Sequence, residues 1–157
     1  MVLRMEENEN RTGENMRRFI DVKEILQNND LLSILALSTY NPTEERLHNR
    51  AETYSNNPAT AVYAIQENDM FIGLVVLDME NRDKIEILNI AVTVNHQKSG
   101  IGSSLINHCI DALHPKEIIA ETDDDAVGFY RCFGFKIIPL GDKYGAGIMR
   151  YQCSYKC

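Results

Sequence analysis

The chain has little positive charge and no long apolar run. Its 157 residues include 16 lysines and arginines against 23 aspartates and glutamates, so the net charge is −7. Sequence-independent binding of nucleic acid needs a basic face, and we therefore expect no nucleic-acid partner. No apolar run approaches the roughly 20 residues that cross a bilayer, so we expect no membrane partner either.

Cysteine pairs and histidine clusters are also missing. The four cysteines show no C-x-x-C spacing, and no histidines stand at metal-ligand offsets from them. We therefore predict no metal site and no structural disulfide. The N-terminal segment is polar and acidic and lacks the apolar core of a secretory signal, so we expect a cytoplasmic protein with reduced thiols.

The length and the order of the elements predict one domain. Residues 1–15 are rich in Glu and Asn and are predicted to form a disordered or loosely attached tail, residues 16–153 the folded domain, and residues 154–157 a C-terminal tail. Apolar and β-branched runs predict strands at 16–22, 60–66, 70–79, from Lys84 onward, 117–121, 135–140 and 147–153. Helical spacing predicts helices at 23–40 with an interruption at 28–30, from Thr43 to about 56, after Gly100, and at 123–133.

The segment from Lys84 to Leu113 predicts an anion site. A buried strand is followed by a loop with Gly100 and Gly102 and then by a helix with one apolar face. The unpaired N–H groups and the helix dipole attract anions at such a helix N-terminus. The stretch 87–110 has no Asp or Glu, although the chain is acidic. We therefore predict that the loop binds a phosphate group.

Two familiar phosphate loops fit poorly. A P-loop needs Gly-Lys-Ser/Thr, and this loop has no lysine at that place. A dinucleotide-binding loop needs a third glycine where this chain has Leu105. The run Gln97-Lys98-Ser99-Gly100-Ile101-Gly102 instead resembles the Q/R-x-x-G-x-G/A loop of the Gcn5-related N-acetyltransferase (GNAT) superfamily.

A second block strengthens the resemblance. It is similar to the family's N-x-x-A-x-x-F-Y-x-x-x-G-F signature and consists of Ala126, Phe129, Tyr130, Gly134 and Phe135. Together the two blocks imply an α/β (α+β) fold of the GNAT type. In that fold a mixed, mostly antiparallel sheet of about six to seven strands is flanked by about four helices.

The resemblance also implies a cosubstrate and the residues that bind it. The cosubstrate is acetyl-CoA, without a metal. Main-chain groups of Ile90, Ala91 and Val92 would contact the pantetheine, and the pyrophosphate would be held by Gln97, Lys98, Ser99, Gly100, Ile101, Gly102 and Ser103. The family usually has Asn where this chain has Asp123. That residue is a further candidate for the cosubstrate site, with helix capping as the alternative.

Amide formation from a thioester needs a neutral amine, and at pH 7 only about one alkyl ammonium group in a thousand is neutral. Glu86 is the only acid inside the central strand and is flanked by apolar residues, so we predict that it is the general base. The alternative is a solvated carboxylate. The resemblance makes Tyr130 the general acid, with a core tyrosine as the alternative. A bulge near 89–92 could expose a backbone N–H for the developing oxyanion.

We therefore expect an acetyl-CoA-dependent N-acetyltransferase that moves acetyl directly to a primary amine in a ternary complex. A non-catalytic acyl-CoA-binding sensor or a regulatory module is the alternative. The acceptor is a small molecule or a peptide, and the negative net charge mildly favours cationic amines. The oligomeric state stays open, with a homodimer among the alternatives.

Overall fold

The computed structural model of the chain describes residues 5–6 and 16–157. Most of the predicted N-terminal tail therefore lies outside the described residues, and within it only the backbone of a two-residue strand is described. The strands are β1 (Met5–Glu6), β2 (Arg17–Asp21), β3 (Thr60–Glu67), β4 (Met70–Asp78), β5 (Lys84–Val92), β6 (Glu117–Asp123), β7 (Lys136–Gly141) and β8 (Arg150–Lys156). The α-helices are α1 (Asn29–Ala36), α2 (Glu44–Asn56), α3 (Ile101–Leu113) and α4 (Val127–Phe133), and short 3₁₀ turns lie at Lys23–Ile25 and Val94–His96.

All eight strands form one sheet in the order β1-β2-β3-β4-β5-β6-β8-β7. Only β5 and β6 are parallel, and the other neighbouring strands are antiparallel. The parallel pair is connected through α3, because parallel neighbours need a crossover connection. The predicted α/β (α+β) fold with a mixed, mostly antiparallel sheet and four helices is confirmed, and β1 adds one strand to the predicted number.

The sheet separates two apolar cores. On one face, the buried side of α3 and residues of α4 pack against β3–β8, as Leu105, Tyr130 and Cys153 show. On the other face, α1 and α2 pack against β2–β5, with Leu31, Leu35 and Val76 fully buried. In the described part of the chain, α1 and α2 make few contacts with β6–β8. These two helices therefore cover the second face mainly over the N-terminal strands. The uncovered part of that face bears the candidate site.

Polar residues fix the ends of the first two helices as the sequence predicts. Asn28 interrupts the early helical stretch, and its Oδ1 accepts hydrogen bonds from the N–H groups of Asp30 and Leu31 at the start of α1. Thr43 caps α2, with its Oγ1 accepting from the Arg46 N–H at 3.2 Å. The Thr43 cap marks the end of the connection between the two helices, residues 37–43.

Three predictions about these elements are wrong. Strand β2 is not an edge strand, because β1 pairs with its outer side. Helix α4 begins at Val127 rather than at 123, since β6 continues to Asp123. Strand β8 spans Arg150–Lys156 and not 147–153, so residues 154–156 belong to the sheet instead of a tail. Pairing with all of β6 keeps the end of β8 extended.

None of the helices in the described part of the chain has the length and apolar character needed to cross a membrane. The longest of them, α2 and α3, have 13 residues each.

Candidate active site

The parallel strands β5 and β6 are joined over four residue pairs only. Pairing runs from Lys84–Glu117 to Ile87–Ala120 and then stops. Beyond this point β6 continues on β8, and β5 continues on β4 as far as Val92. Among the described strands none pairs with this edge of β5 after Ile87. The sheet therefore opens between β5 and β6, and Ile90, Ala91 and Val92 lie along the opening.

A β-bulge lies where the opening begins. Ile87 pairs with Leu77 and Asn89 pairs with Val76, so Leu88 is an extra residue without a partner on β4. The bulge is one residue before the predicted range. It reverses the alternation of the strand: Ile85 and Ile87 belong to the core on the α3 side, whereas Ala91 belongs to the core on the α1 side. Glu86 and Asn89 consequently lie on the same face of the sheet.

The glycine loop leads from β5 into α3. Gly100 precedes the helix with φ of +84°, and Lys98 also has a positive φ of 61°. The first intrahelical hydrogen bond runs from the Ser104 N–H to the Gly100 carbonyl at 2.9 Å. The N–H groups of Ile101, Gly102 and Ser103 therefore have no acceptor within the helix. These donors and the helix dipole favour an anion at this position.

Close packing fixes the start of α3. A Cβ added at Gly102 would lie 2.8 Å from the Phe129 ring of α4, so a side chain larger than hydrogen forces that ring to move. On the β4 side, a Cβ added at Gly73 would lie 3.1 Å from Ile101 and 3.2 Å from Leu105. Two glycines thus let α3 approach α4 and β4 closely, and this contact determines where the free N–H groups lie.

Two loop side chains form hydrogen bonds with nearby main-chain carbonyl groups. Gln97 donates its Nε2–H to the Val92 carbonyl at 3.1 Å, which joins two of the predicted cosubstrate residues. The Ser99 hydroxyl donates to the His96 carbonyl. Residues 97–100 are exposed, so the loop backbone is accessible from solvent. The predicted pyrophosphate residues lie together at the helix start.

The carboxylate of Glu86 is half-buried on the face that bears α1 and α2. Burial raises its pKa, and the neighbouring carboxylates of Asp78 and Glu121 raise it further, while Lys143 lowers it. Asp78 pairs directly with Glu86 across the β4–β5 ladder, so like charges stand opposite each other. An elevated pKa is the property that a general base near neutral pH requires.

Glu121 of β6 is bound by three donors. The Lys143 Nζ lies 3.0 Å from its Oε2, and the Tyr144 hydroxyl and the Arg150 Nε lie 2.8 Å and 3.2 Å from its Oε1. Burial alone would raise the pKa of Glu121, but these hydrogen bonds and the Lys143 charge lower it. Lys143 and Tyr144 belong to the connection between β7 and β8, residues 142–149. The Glu121 carboxylate therefore remains ionised and binds the connection between β7 and β8.

Tyr130 lies on the opposite face from Glu86. It is 4% exposed and is in edge contact with the rings of Phe129 and Phe135, at centroid distances of 5.2 Å and 5.1 Å. Burial raises the pKa of Tyr130, and at high pH the negative charge of an ionised Cys153 raises it further. The phenol therefore stays protonated at neutral pH and is available as a proton donor.

Asp123 closes the turn before α4. Its Oδ1 accepts hydrogen bonds from the N–H groups of Asp125 and Ala126, at 3.0 Å and 3.2 Å. The carboxylate thus binds backbone donors at the end of β6, next to the opening. Within residues 16–157 no group of three His, Cys, Asp or Glu side chains is arranged to hold a metal ion.

Sequence reasoning missed the residues around Glu86. Asp78 lies on the same face as Glu86 because the two residues pair across β4 and β5. Glu121 lies on this face because Glu86 pairs with Ile119 of β6, and Glu121 is two residues after Ile119 in that strand. The alternation in β6 could have placed Glu121 on that face. Lys143 could not have been found, since a loop residue 22 positions away has no periodic relation to the strand.

Comparisons with known proteins agree with this geometry. A family model described as the acetyltransferase (GNAT) family matches residues 28–135, which include both sequence blocks. No curated protein matches the chain.

Solved structures share the fold at low sequence identity. The ribosomal-protein-S18-alanine N-acetyltransferase from Escherichia coli has a TM-score of 0.70 at 16% identity, over 90% of this chain and 94% of that one. The aminoglycoside 6'-acetyltransferase type Ii has a TM-score of 0.73 at 19% identity, over 90% and 96%. A GNAT family acetyltransferase from Elizabethkingia anophelis with acetyl-CoA bound has a TM-score of 0.59 at 22% identity, over 80% and 89%. With more than half of its length matched by the family model, the chain belongs to the GNAT acetyltransferase family.

Proposed function

We propose that the chain is an N-acetyltransferase that transfers acetyl from acetyl-CoA to a primary amine by direct attack. The observation that carries the proposal is the end of β5–β6 pairing after Ile87, together with the glycine loop that leads from the end of β5 into the start of α3. This arrangement combines an unpaired strand edge with a helix N-terminus. An extended chain with amide groups fits the first, and a diphosphate fits the second.

The residues around the helix start fit a diphosphate for three reasons. The N–H groups of Ile101, Gly102 and Ser103 have no acceptor within the helix, so they are available as donors. The stretch 87–110 carries no acidic residue, so no carboxylate of that stretch repels an anion. The exposed Lys98 adds positive charge. When bound, acetyl-CoA would supply the activated acetyl group as a thioester.

Glu86 is the proposed base. An incoming ammonium must lose a proton before it can attack, and an ionised carboxylate with a raised pKa accepts that proton better than an ordinary glutamate does. Asp78 lies on the same face and adds a second negative charge beside Glu86, which attracts a cationic amine. The transfer goes either directly to Glu86 or through a bound water.

Tyr130 is the proposed acid. The leaving thiolate needs a proton, and the buried phenol is protonated at neutral pH. Glu86 and Tyr130 lie on opposite faces of the sheet, on either side of the opening between β5 and β6. Such an arrangement separates the group that takes a proton from the one that gives it. The new amide bond forms as the bond between carbon and sulfur breaks.

Acceptor chemistry is limited by the acidic face to amines that carry positive charge. Among the similar structures, one protein is named for an alanine of a ribosomal protein and another for an aminoglycoside, so the shared fold accommodates both peptide and small-molecule acceptors. We expect a small cationic amine or an amine-bearing peptide.

The proposal is tested by following free-thiol release from acetyl-CoA in the presence of polyamines, aminoglycosides and lysine peptides, with calorimetry of acetyl-CoA binding in parallel. We expect micromolar binding and thiol release with at least one cationic amine. Binding without release across the panel would identify a sensor. Absence of any acetyl-CoA binding would overturn the assignment of both loop and opening.

A further inference from the structure

A buried polar cluster joins β5 to the helices that flank the acidic face. It consists of Asn89 on β5, Ser38 just after α1 and Tyr54 on α2, with the exposed Arg50 of α2 at its edge. Asn89 is 4% exposed and Tyr54 9% exposed, so both polar groups are removed from solvent. A buried amide is costly unless its donors and acceptors are satisfied, and this one is satisfied.

The hydrogen bonds of Asn89 fix its orientation. Its Nδ2 donates to the Ser38 carbonyl at 3.0 Å and to the Ser38 Oγ at 2.9 Å, which uses both amide hydrogens. Its Oδ1 accepts from the Tyr54 hydroxyl at 2.5 Å. A reversed amide would place its oxygen against the Ser38 carbonyl, which only accepts hydrogen bonds. The Tyr54 oxygen in turn accepts from the Arg50 Nη1 at 3.3 Å.

The bulge at Leu88 gives this cluster its position. In a regular strand without the bulge, the side chains of Glu86 and Asn89 would point to opposite faces, because strand residues three apart do so. With it, the two lie on one face, and Asn89 holds the first residues of the α1–α2 connection (residues 37–43) beside the strand that carries Glu86. A molecule that reaches Glu86 on this face therefore has the α1–α2 connection as a neighbour.

We propose that Asn89 is a positioning residue that holds the α1–α2 connection in register with Glu86 and thereby sets the affinity for the amine acceptor. The acceptor part of this inference rests on the proposed function; the structural part does not. Asn89 acts through Ser38 and Tyr54 and does not itself touch the reacting atoms. Coenzyme binding should change little, because Asn89 contacts α1 and α2 through its side chain, whereas the proposed coenzyme contacts are main-chain groups of residues 90–92 and the free N–H donors of α3.

The test uses the full chain with Asn89→Ala and Tyr54→Phe, the second of which removes only one hydroxyl. Ser55→Ala is the matched control. It removes another hydrogen bond of α2, from the Ser55 Oγ to the Lys23 carbonyl at 2.9 Å, which does not involve Asn89. The first readout is amide hydrogen exchange. The N–H groups of Ser38 and Thr39 are bonded to α1 carbonyls and should exchange about three- to tenfold faster in both variants, but not in the control.

The second readout separates positioning from general stability. In Asn89→Ala and Tyr54→Phe the acceptor KM should rise about three- to tenfold, with the Kd of acetyl-CoA within about twofold of the unaltered chain. Unchanged exchange at Ser38 and Thr39 would overturn the structural claim. Faster exchange with an unchanged acceptor KM, or equal KM changes in Ser55→Ala, would overturn the acceptor claim. If the unaltered chain acetylates no amine, the proposed function fails and takes the acceptor claim with it, while the exchange data still decide the structural claim.

Discussion

The two sides of the opening between β5 and β6 differ in the groups that they present, which are main-chain groups on one side and side chains on the other. On the side where we propose that the coenzyme binds, the relevant features are backbone donors at the start of α3 and glycines at positions 73, 100 and 102. On the side that we propose for the acceptor, the relevant groups are the side chains of Glu86, Asp78 and Glu121, with Asn89 and Lys143 holding the neighbouring connections. The same main-chain geometry can bind the same ligand in chains of different sequence, whereas the side chains on the other side can differ between chains with different acceptors.

The two sides should therefore differ in how strongly ligand specificity depends on the sequence. A diphosphate is recognised by N–H groups that every residue except proline provides, so only glycines are constrained in sequence there. Recognition of an amine depends on the number and position of carboxylates. Substitutions on the two sides should therefore affect different constants, and the predictions below test that separation.

The largest effect is expected from Glu86→Gln. Loss of the base should lower kcat by about 10²–10⁴-fold, because general-base catalysis contributes that much, while the Kd of acetyl-CoA stays unchanged. Steady-state kinetics and calorimetry measure the two constants. Glu117→Gln is the control, since Glu117 is an acid on the adjacent strand at the paired end of β6. A full rate in Glu86→Gln removes this residue from the mechanism, and a weaker coenzyme affinity breaks the separation of the two sides.

Gly102→Val should act on the coenzyme side alone. The new side chain collides with the Phe129 ring, and overpacking of about 1–3 kcal/mol is relieved by a shift of the α3 start. We expect the Kd of acetyl-CoA to rise about tenfold or more, with kcat at saturating coenzyme little changed. Gly128→Val is the control, because no atom lies within 4 Å of a Cβ at that glycine. Equal losses in both variants would show that the Phe129 contact is not the cause.

Gly100→Ala tests backbone conformation without a collision. Nothing lies within 4 Å of a Cβ at this position, but φ is +84°. An alanine in the left-handed region costs about 1 kcal/mol, so we expect the free energy of unfolding to fall by about that amount in urea titrations. Gly100→Asn should lose less, because asparagine tolerates this region. Identical losses for Ala and Asn would contradict a conformational cause.

The smallest expected effect is a shift in the acid limb of the pH–rate profile. Glu86 must be ionised to act as a base, so activity is lost as the pH falls through its raised pKa. Asp78→Asn removes a repelling charge, lowers that pKa and should move the limb about a few tenths of a pH unit downward. Lys143→Gln removes an attracting charge and should move it upward. Shifts of the same sign in both variants would refute this electrostatic account.

Much of the fold, including the loop between β5 and α3, could be predicted from the sequence, because it depends on local patterns. The apolar spacing in α3 predicts its buried face, and the apolar residues Ile101, Leu105, Ile106 and Cys109 are buried. Thr43 predicts the start of α2 because capping is a matter of three neighbouring residues. The glycines predict the loop between β5 and α3 for the same reason.

The acceptor side could not be predicted because its contacts are long-range. Asn89 bonds Ser38 across 51 residues, and no periodicity links the two positions. The bulge was expected from the change in alternation, but one residue too late, since burial on both faces hides which residue is extra. The end of β8 was missed because Ser154 and Tyr155 are extended only through pairing with β6.

The short β5–β6 junction has a consequence for the architecture as a whole. It divides the sheet into two antiparallel ribbons, β1–β5 and β6–β8, each made from one contiguous stretch of chain. Helix α3 is the main covalent bridge between them, and the chain leaves it at the exposed His114. A cut at that point yields two fragments that each keep their own interstrand hydrogen bonds. Fragment complementation would then measure how strongly four residue pairs and one helix hold the ribbons together.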